Sequence, residues 1–302
     1  MILRSVYTIF AAKRSKANMT AKTLNLNGRL VSLDTPLVMG IVNVTPDSFY
    51  ADSRKEGEAA IDARIQQILA EGGDLIDLGG YSSRPDAAEV TPEEELRRLE
   101  VALRIWNQHY PNVPVSVDTF RADIARRCVA EYGVAMINDI SGGELDPAMF
   151  ATVAALHVPY ILMHMRGTPQ TMQQLCDYTD LLEDILRYFA RKVEQLRLLG
   201  VNDIILDPGF GFSKTLEQNY TLMAHLEEFH AFDLPLLVGI SRKSMIYKLL
   251  GGTPADSLNG TTVLNTFALL HGAHILRVHD VKAAVEVRRI VLQLQNGKTN
   301  PL

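Results

Sequence analysis

Asp118, Asn138 and Asp207 each close a short run of apolar, mostly β-branched residues. Buried carboxylates accept from paired N–H groups, and an amide both donates and accepts, so this set suits the amidine-like edge of a flat heterocycle. Lys243 ends another such run and can donate to a ring carbonyl, while the planar guanidinium of Arg277 can stack on a ring face. Arg84, His279 and Asn43 remain for an anion and its metal. Magnesium usually keeps several waters, so a polyphosphate and one Asn oxygen would suffice to hold it.

Taken singly, each of these residues has an ordinary explanation. Asn43 and Asp207 could cap helices, Gly79-Gly80 could make a tight turn, and Arg84 could be a solvated loop cation. Polar residues after all eight apolar runs are harder to explain by capping. The runs end in NVTPDSF from Asn43, GGYSSRP from Gly79, Asp118-Thr119, Asn138-Asp139, MHMR from Met163, DPGFGF from Asp207, Ser241-Arg242-Lys243 and RVHD from Arg277.

The runs themselves predict strands over Leu37–Val44, Asp74–Leu78, Val113–Val117, Val134–Ile140, Val158–Met165, Asp203–Leu206, Leu234–Ile240 and His274–Val278. Helical periodicity alternates with them, over Glu56–Glu71, Pro92–Asn107, Arg121–Tyr132, Pro147–His157, Tyr178–Leu199, Leu216–His230, Ser257–His271 and Val281–Gln295. Eight βα units with no glycine-rich dinucleotide fingerprint predict a (β/α)8 TIM barrel in one domain rather than an open doubly wound sheet. Barrel enzymes build their sites at the C-terminal ends of the strands, where these polar residues lie. Residues 20–36, with Asn27-Gly28 between alternating apolar positions, predict a hairpin under the barrel.

Bulk properties narrow the function. The 302 residues carry 47% hydrophobic and 22% charged side chains and a net charge of −5, an ordinary globular balance that argues against nucleic acid as a partner. No 18-residue apolar run suggests a membrane span. Cys128 and Cys176 lack metal-ligand or CxxC spacing and read as reduced thiols, which fits a cytoplasmic protein. The histidines show no HExxH pattern, so no zinc is expected, and Gly209–Lys214 lacks the spacing of a phosphate-binding P-loop. Residues 1–19 contain four basic and no acidic residues before Met19 and are expected to form a disordered extension, with the domain spanning 20–302.

MGIVNVTPDSF, DLGGYSSRP, SVDT, INDISGG, MHMRGTP, DPGFGF, GISRKSM and RVHDV, in this order over residues 37–281, resemble the signature set of the dihydropteroate synthase family. The resemblance implies a homodimeric barrel of folate synthesis, the sulfonamide target, that joins a dihydropterin pyrophosphate to p-aminobenzoate. It implies that Asp118, Asn138, Asp207 and Lys243 hold the pterin beside Ile140 and Met163, with Arg277 stacked above. Asn43, Arg84 and His279 would handle the pyrophosphate, Asn43 also reaching Mg²⁺. Thr45, Asp47 and Phe49, and Tyr81 to Arg84, would belong to two closing loops. Phe49, Ser83, Phe212, Lys243 and Ser244 would lie near p-aminobenzoate. Tyr81 stands where the family pattern has glutamate and Ser83 where it has threonine, a change that keeps the hydroxyl. A folate-dependent methyltransferase of related fold is disfavoured by Ser241-Arg242-Lys243 and NVTPDSF, and a silent paralogue by the presence of Asn43, Arg84 and His279.

Overall fold

A computed structural model describes residues 22–44, 54–82 and 90–299. The expected extension, residues 1–19, and the site candidates Thr45, Asp47, Phe49, Ser83 and Arg84 lie outside the described residues. Asn27 and Gly28 take φ of 52° and 81°, as the inner residues of a type I′ turn must, and they join β1 (Thr23–Leu26) to β2 (Arg29–Ser32) in an antiparallel hairpin. Leu24, Leu26 and Leu33 pack with Leu37, Met39, Leu75, Met136, Ile161, Ile205, Leu237 and Ile275, which come from the starts of the barrel strands. The hairpin therefore plugs the bottom of the barrel, as its alternation predicts.

The parallel strands are β3 (Leu37–Asn43), β4 (Leu75–Gly79), β5 (Val115–Asp118), β6 (Met136–Asp139), β7 (Tyr160–Met163), β8 (Ile204–Asp207), β9 (Leu237–Val238) and β10 (Ile275–Val278). They pair in the order β8-β7-β6-β5-β4-β3-β10-β9. An isolated parallel bridge, Leu206↔Leu236, closes β8 against the segment leading into β9 and completes a TIM barrel. The second, larger core lies between the sheet and the surrounding helices, with Val38, Ile65, Ile76, Leu99, Phe189 and Leu276 among its buried members.

The helices are α1 (Arg54–Ala70), α2 (Pro92–His109), α3 (Ala122–Tyr132), α4 (Met149–Leu156), α5 (Leu181–Leu198), α6 (Leu216–Ala224), α7 (Ser244–Leu250), α8 (Leu258–Leu270) and α9 (Val281–Thr299). Thr91 caps α2 by accepting from Glu94 N at 3.3 Å, with Pro92 in the first turn, as the sequence pattern predicts. Three expectations need correction. The predicted helix Leu216–His230 stops at Ala224, where His225 leaves helical geometry, and continues as a 3-10 segment, Leu226–Phe232. The predicted strand Leu234–Ile240 shortens to two residues because its neighbours serve the closing bridge and the turn into α7. α7 itself is an extra helix that the alternation did not reveal.

Candidate active site

Strand register gathers the polar residues. Gly79 pairs with Asp118, Asp118 with Asn138, and Met163 with Asp207, so neighbouring strand ends present their side chains at one mouth. Gly79 lies between Asn43 and Asp118: a Cβ built there would sit 3.7 Å from Asn43 Oδ1 and 3.8 Å from Asp118 Cβ. Asn43 is exposed at the end of β3, whereas Asn138 and Asp207 are buried. Alternation along β6 turns Asp139 the other way. Its carboxylate accepts from Ser141 N and Oγ, Gly143 N and Tyr160 Oη at 2.6–2.8 Å, which makes it a loop anchor rather than a site residue.

Arg277 enters from β10 and is held edge-on. Its Nη2 donates to Asp118 Oδ2 at 2.8 Å and its Nε to Asp77 Oδ2 at 2.6 Å. Buried next to three carboxylates, the guanidinium is even harder to deprotonate than usual despite the burial. Burial lifts the Asp118 carboxyl to about 7, with Arg277 opposing the rise and Asp77, Asp139 and Asp207 adding to it. Asp207 is also raised, chiefly by burial, and is held down in part by Lys243 and by the bond its Oδ1 accepts from Gly209 N at 2.8 Å.

Lys243 precedes α7, donates through Nζ to the carbonyl of Phe210, and lies 4.6 Å from the centre of the Phe212 ring. Burial lowers its pKa to about 8. Ser244, the first residue of α7, is half-buried beside it. Phe212 belongs to an apolar wall with Ile140, Met163, Met165 and Met172, a surface suited to a flat ring. His279 stands across the mouth, its Nδ1 3.2 Å from Ser241 Oγ. Burial, reinforced by Arg277 and Arg242, lowers its pKa to about 4, so at neutral pH the ring is neutral before any anion arrives.

At the mouth, the buried charges Asp77 and Lys214 escaped sequence reasoning. Asp77 reads as part of the apolar run of β4, although a carboxylate there is at odds with a packing role, and that oddity was the available signal. Lys214 reads as the end of a glycine-rich loop. Its buried Nζ lies 3.1 Å from His164 Nδ1 and donates to the carbonyls of Gly209 and Phe212 at 3.0 Å, clipping the loop that carries Phe212. Burial lowers its pKa to about 7. Tyr81 follows β4 and stands edge-on to Phe120 with ring centres 5.2 Å apart, while its hydroxyl accepts from Gln170 Nε2 at 3.1 Å. That places it on the rim. Among the described residues no cluster of three acidic, histidine or cysteine side chains could hold a metal, and no helix is long and apolar enough to cross a membrane.

Comparison with known proteins gives one consistent answer. Residues 39–279 match the family of pterin binding enzymes. The chain is 42% identical over 275 residues to the dihydropteroate synthase of Escherichia coli K12, covering 90% of this chain and 96% of that one. It superimposes on Yersinia pestis dihydropteroate synthase, solved in a sulfonamide drug complex, with a TM-score of 0.82 and 41% identity, covering 91% of this chain and all of that one. With the Xanthomonas albilineans dihydropteroate synthase, solved with 4-aminobenzoic acid, the TM-score is 0.83 at 37% identity, covering 91% and 99%.

Proposed function

We infer the chemistry of the mouth from the premise that the chain belongs to the dihydropteroate synthase family of pterin-binding enzymes. It is a transferase of folate synthesis, condensing 6-hydroxymethyl-7,8-dihydropterin pyrophosphate with p-aminobenzoate to give 7,8-dihydropteroate and pyrophosphate. The observation that carries the assignment of residues is the convergence of Asp118, Asn138, Asp207 and Lys243 on one barrel mouth beside a flat apolar wall.

In our reading the carboxylates of Asp118 and Asp207 and the amide of Asn138 take the N–H edge of the pterin, Lys243 donates to its carbonyl, and Ile140, Met163 and Phe212 pack on the ring. Arg277 is fixed by two carboxylates, so its guanidinium face is presented to the ring without the entropy of ordering a free side chain. The bond between the exocyclic methylene and pyrophosphate breaks, its electron pair leaving with pyrophosphate. The pterin ring delocalises the positive charge, with the two carboxylates nearby to stabilise it. The aniline nitrogen then forms the C–N bond and loses a proton to solvent. The protein contributes position, charge and exclusion of water, with no covalent intermediate.

Thr45, Asp47, Phe49, Ser83 and Arg84 complete this reading as the closing loops and p-aminobenzoate contacts, with Ser244 and Phe212 on the described side. Asn43, Arg84 and His279 take the pyrophosphate. The exposed Asn43 offers one neutral oxygen, which fits Mg²⁺ already carried by phosphate oxygens and waters, and the ion would then offset charge on the departing group. Sulfonamides compete with p-aminobenzoate in this scheme. The two free thiols suit a reducing cytoplasm. A second copy of the chain would cover the exposed Val263 and Leu270 of α8 and Ile290 and Leu294 of α9, giving a homodimer.

The test is turnover of the purified protein with both substrates and Mg²⁺, followed by pyrophosphate release. Dependence on p-aminobenzoate supports the reading. Absence of release, or methyl transfer to or from a folate, overturns it.

A further inference from the structure

Asp77 lies mid-strand on β4, one layer beneath the recognition residues, and is fully buried. Burying a carboxylate is costly unless its oxygens find donors. Its Oδ2 accepts from Arg277 Nε at 2.6 Å and from Asn138 Nδ2 at 3.0 Å, while its Oδ1 is buried without a hydrogen-bond partner among the described residues. A guanidinium only donates, so Oδ2 is an acceptor. The same oxygen touches Asn138, and only the NH₂ half of the amide can satisfy it. Chemistry therefore dictates which way round the Asn138 amide lies: its NH₂ gives one N–H to Asp77, and its Oδ1 is fixed as the acceptor it can offer a ligand.

We propose that Asp77 is a positioning residue that sets the donor and acceptor polarity of the recognition edge. It commits Asn138 to accept and holds Arg277 in plane between two carboxylates, so the site reads a ligand edge built of N–H donors. An unconstrained asparagine reads donors and acceptors alike, because its amide can turn over. With Asp77 in place, Asp118, Asn138 Oδ1 and Asp207 accept, and among the described pterin-edge residues Lys243 is the cation that donates. A ligand that presents a carbonyl where the pterin has its amino group meets acceptor against acceptor. Such mismatches are rejected strongly, because buried polar groups are left unpaired on both sides. Asp77 thus acts on specificity without touching the ligand.

This inference rests on the pterin reading above, and the experiment separates the two. Calorimetric titration would compare 6-hydroxymethyl-7,8-dihydropterin pyrophosphate with its 2-oxo analogue, the corresponding dihydrolumazine, in the wild type and in Asp77→Asn. The wild type should prefer the pterin by at least about a hundredfold. Asp77→Asn can offer Asn138 either C=O or NH₂, and the preference should fall at least about tenfold, beyond any common loss of affinity. The double variant Asp77→Asn, Asn138→Asp keeps the net charge and restores a fixed acceptor at 138, so its preference should return toward the wild-type ratio. Should Asp77→Asn fail to fold, the double variant decides alone: a folded protein that binds both ligands equally would overturn the inference. An unchanged ratio in folded Asp77→Asn overturns it as well. A wild type that binds neither compound overturns the pterin reading instead.

Discussion

Asp207 Oδ1 accepts from Gly209 N at 2.8 Å, a bond that Asp207→Asn can keep through its own Oδ1. The substitution then places an NH₂ where the second carboxylate oxygen stood, opposite a ligand N–H. Pterin affinity should fall at least about a hundredfold, about 3 kcal/mol, with the melting temperature nearly unchanged. Calorimetry beside a melting curve checks this, and unchanged affinity would leave Asp207 as a loop cap only. A second expectation concerns pH. Binding needs Asp118 ionised and Lys243 protonated, and their values of about 7 and about 8 put the optimum of kcat/KM for the pterin substrate between those limits. A flat profile from pH 6 to 9 would remove both groups from recognition. The same shifts act on stability with the opposite preference. Asp118 titrates above its unfolded value, so its contribution to folding is lost as pH rises from about 4 to about 7. Lys243 titrates below its unfolded value, so its penalty is full below about 8 and relieved above it. The ligand-free site is therefore least comfortable in the window where it works. Sequence alone exposes Asp118, Asn138, Asp207, Lys243 and Arg277, because polar residues ending apolar runs stand out. Asp77 and Lys214 stay hidden because their partners, Arg277 and His164, are 200 and 50 residues away in the chain.

The loop from Gly209 to Lys214 shows how an element is held in shape. Gly209 has a φ of +70°, and a Cβ there would lie 2.1 Å from the carbonyl oxygen of His164. Gly209→Ala must displace either the loop or the end of β7, both of which line the mouth. The expected cost is about 2 kcal/mol or more in chemical denaturation, with loss of turnover. Wild-type stability and activity would show that the loop is free to move. On the rim, Tyr81 touches Phe120 and Gln170, and Arg121 lies 5.6 Å from its ring centre. Tyr81→Glu loses these contacts but gains a carboxylate near Arg121, so activity should fall less than about tenfold. A larger drop in kcat/KM would place Tyr81 inside the substrate pocket. At this scale the strands and most helices are legible because both periodicities are strong. α7 is not, since seven residues after a two-residue strand give periodicity too little length to register. The break at His225 is hidden for a related reason: a 3-10 segment keeps an apolar spacing close to that of an α-helix.

For the whole molecule the single-domain barrel and the hairpin beneath it follow from the alternation and from Asn27-Gly28. The surface that a second copy would cover does not, because helical amphipathicity marks the core face and says little about the opposite one. Val263→Lys together with Ile290→Lys should leave the circular dichroism spectrum intact and reduce the sedimenting mass from two chains to one. A dimer that survives both lysines would move the interface elsewhere. The barrel is also unevenly closed. Where its other strands are joined by ladders, β8 meets the approach to β9 through the lone Leu206↔Leu236 bridge, with Leu206 N donating to Pro235 O at 2.9 Å. This is where the cylinder should breathe, and amide hydrogens from 204–206 and 236–238 should exchange faster than those of β4 or β5. Asp207 and Lys243 stand on opposite sides of that seam. A pterin gripped by both spans it like a stave fitted to a cask, and amide exchange along these two segments should slow on binding more than anywhere else in the sheet.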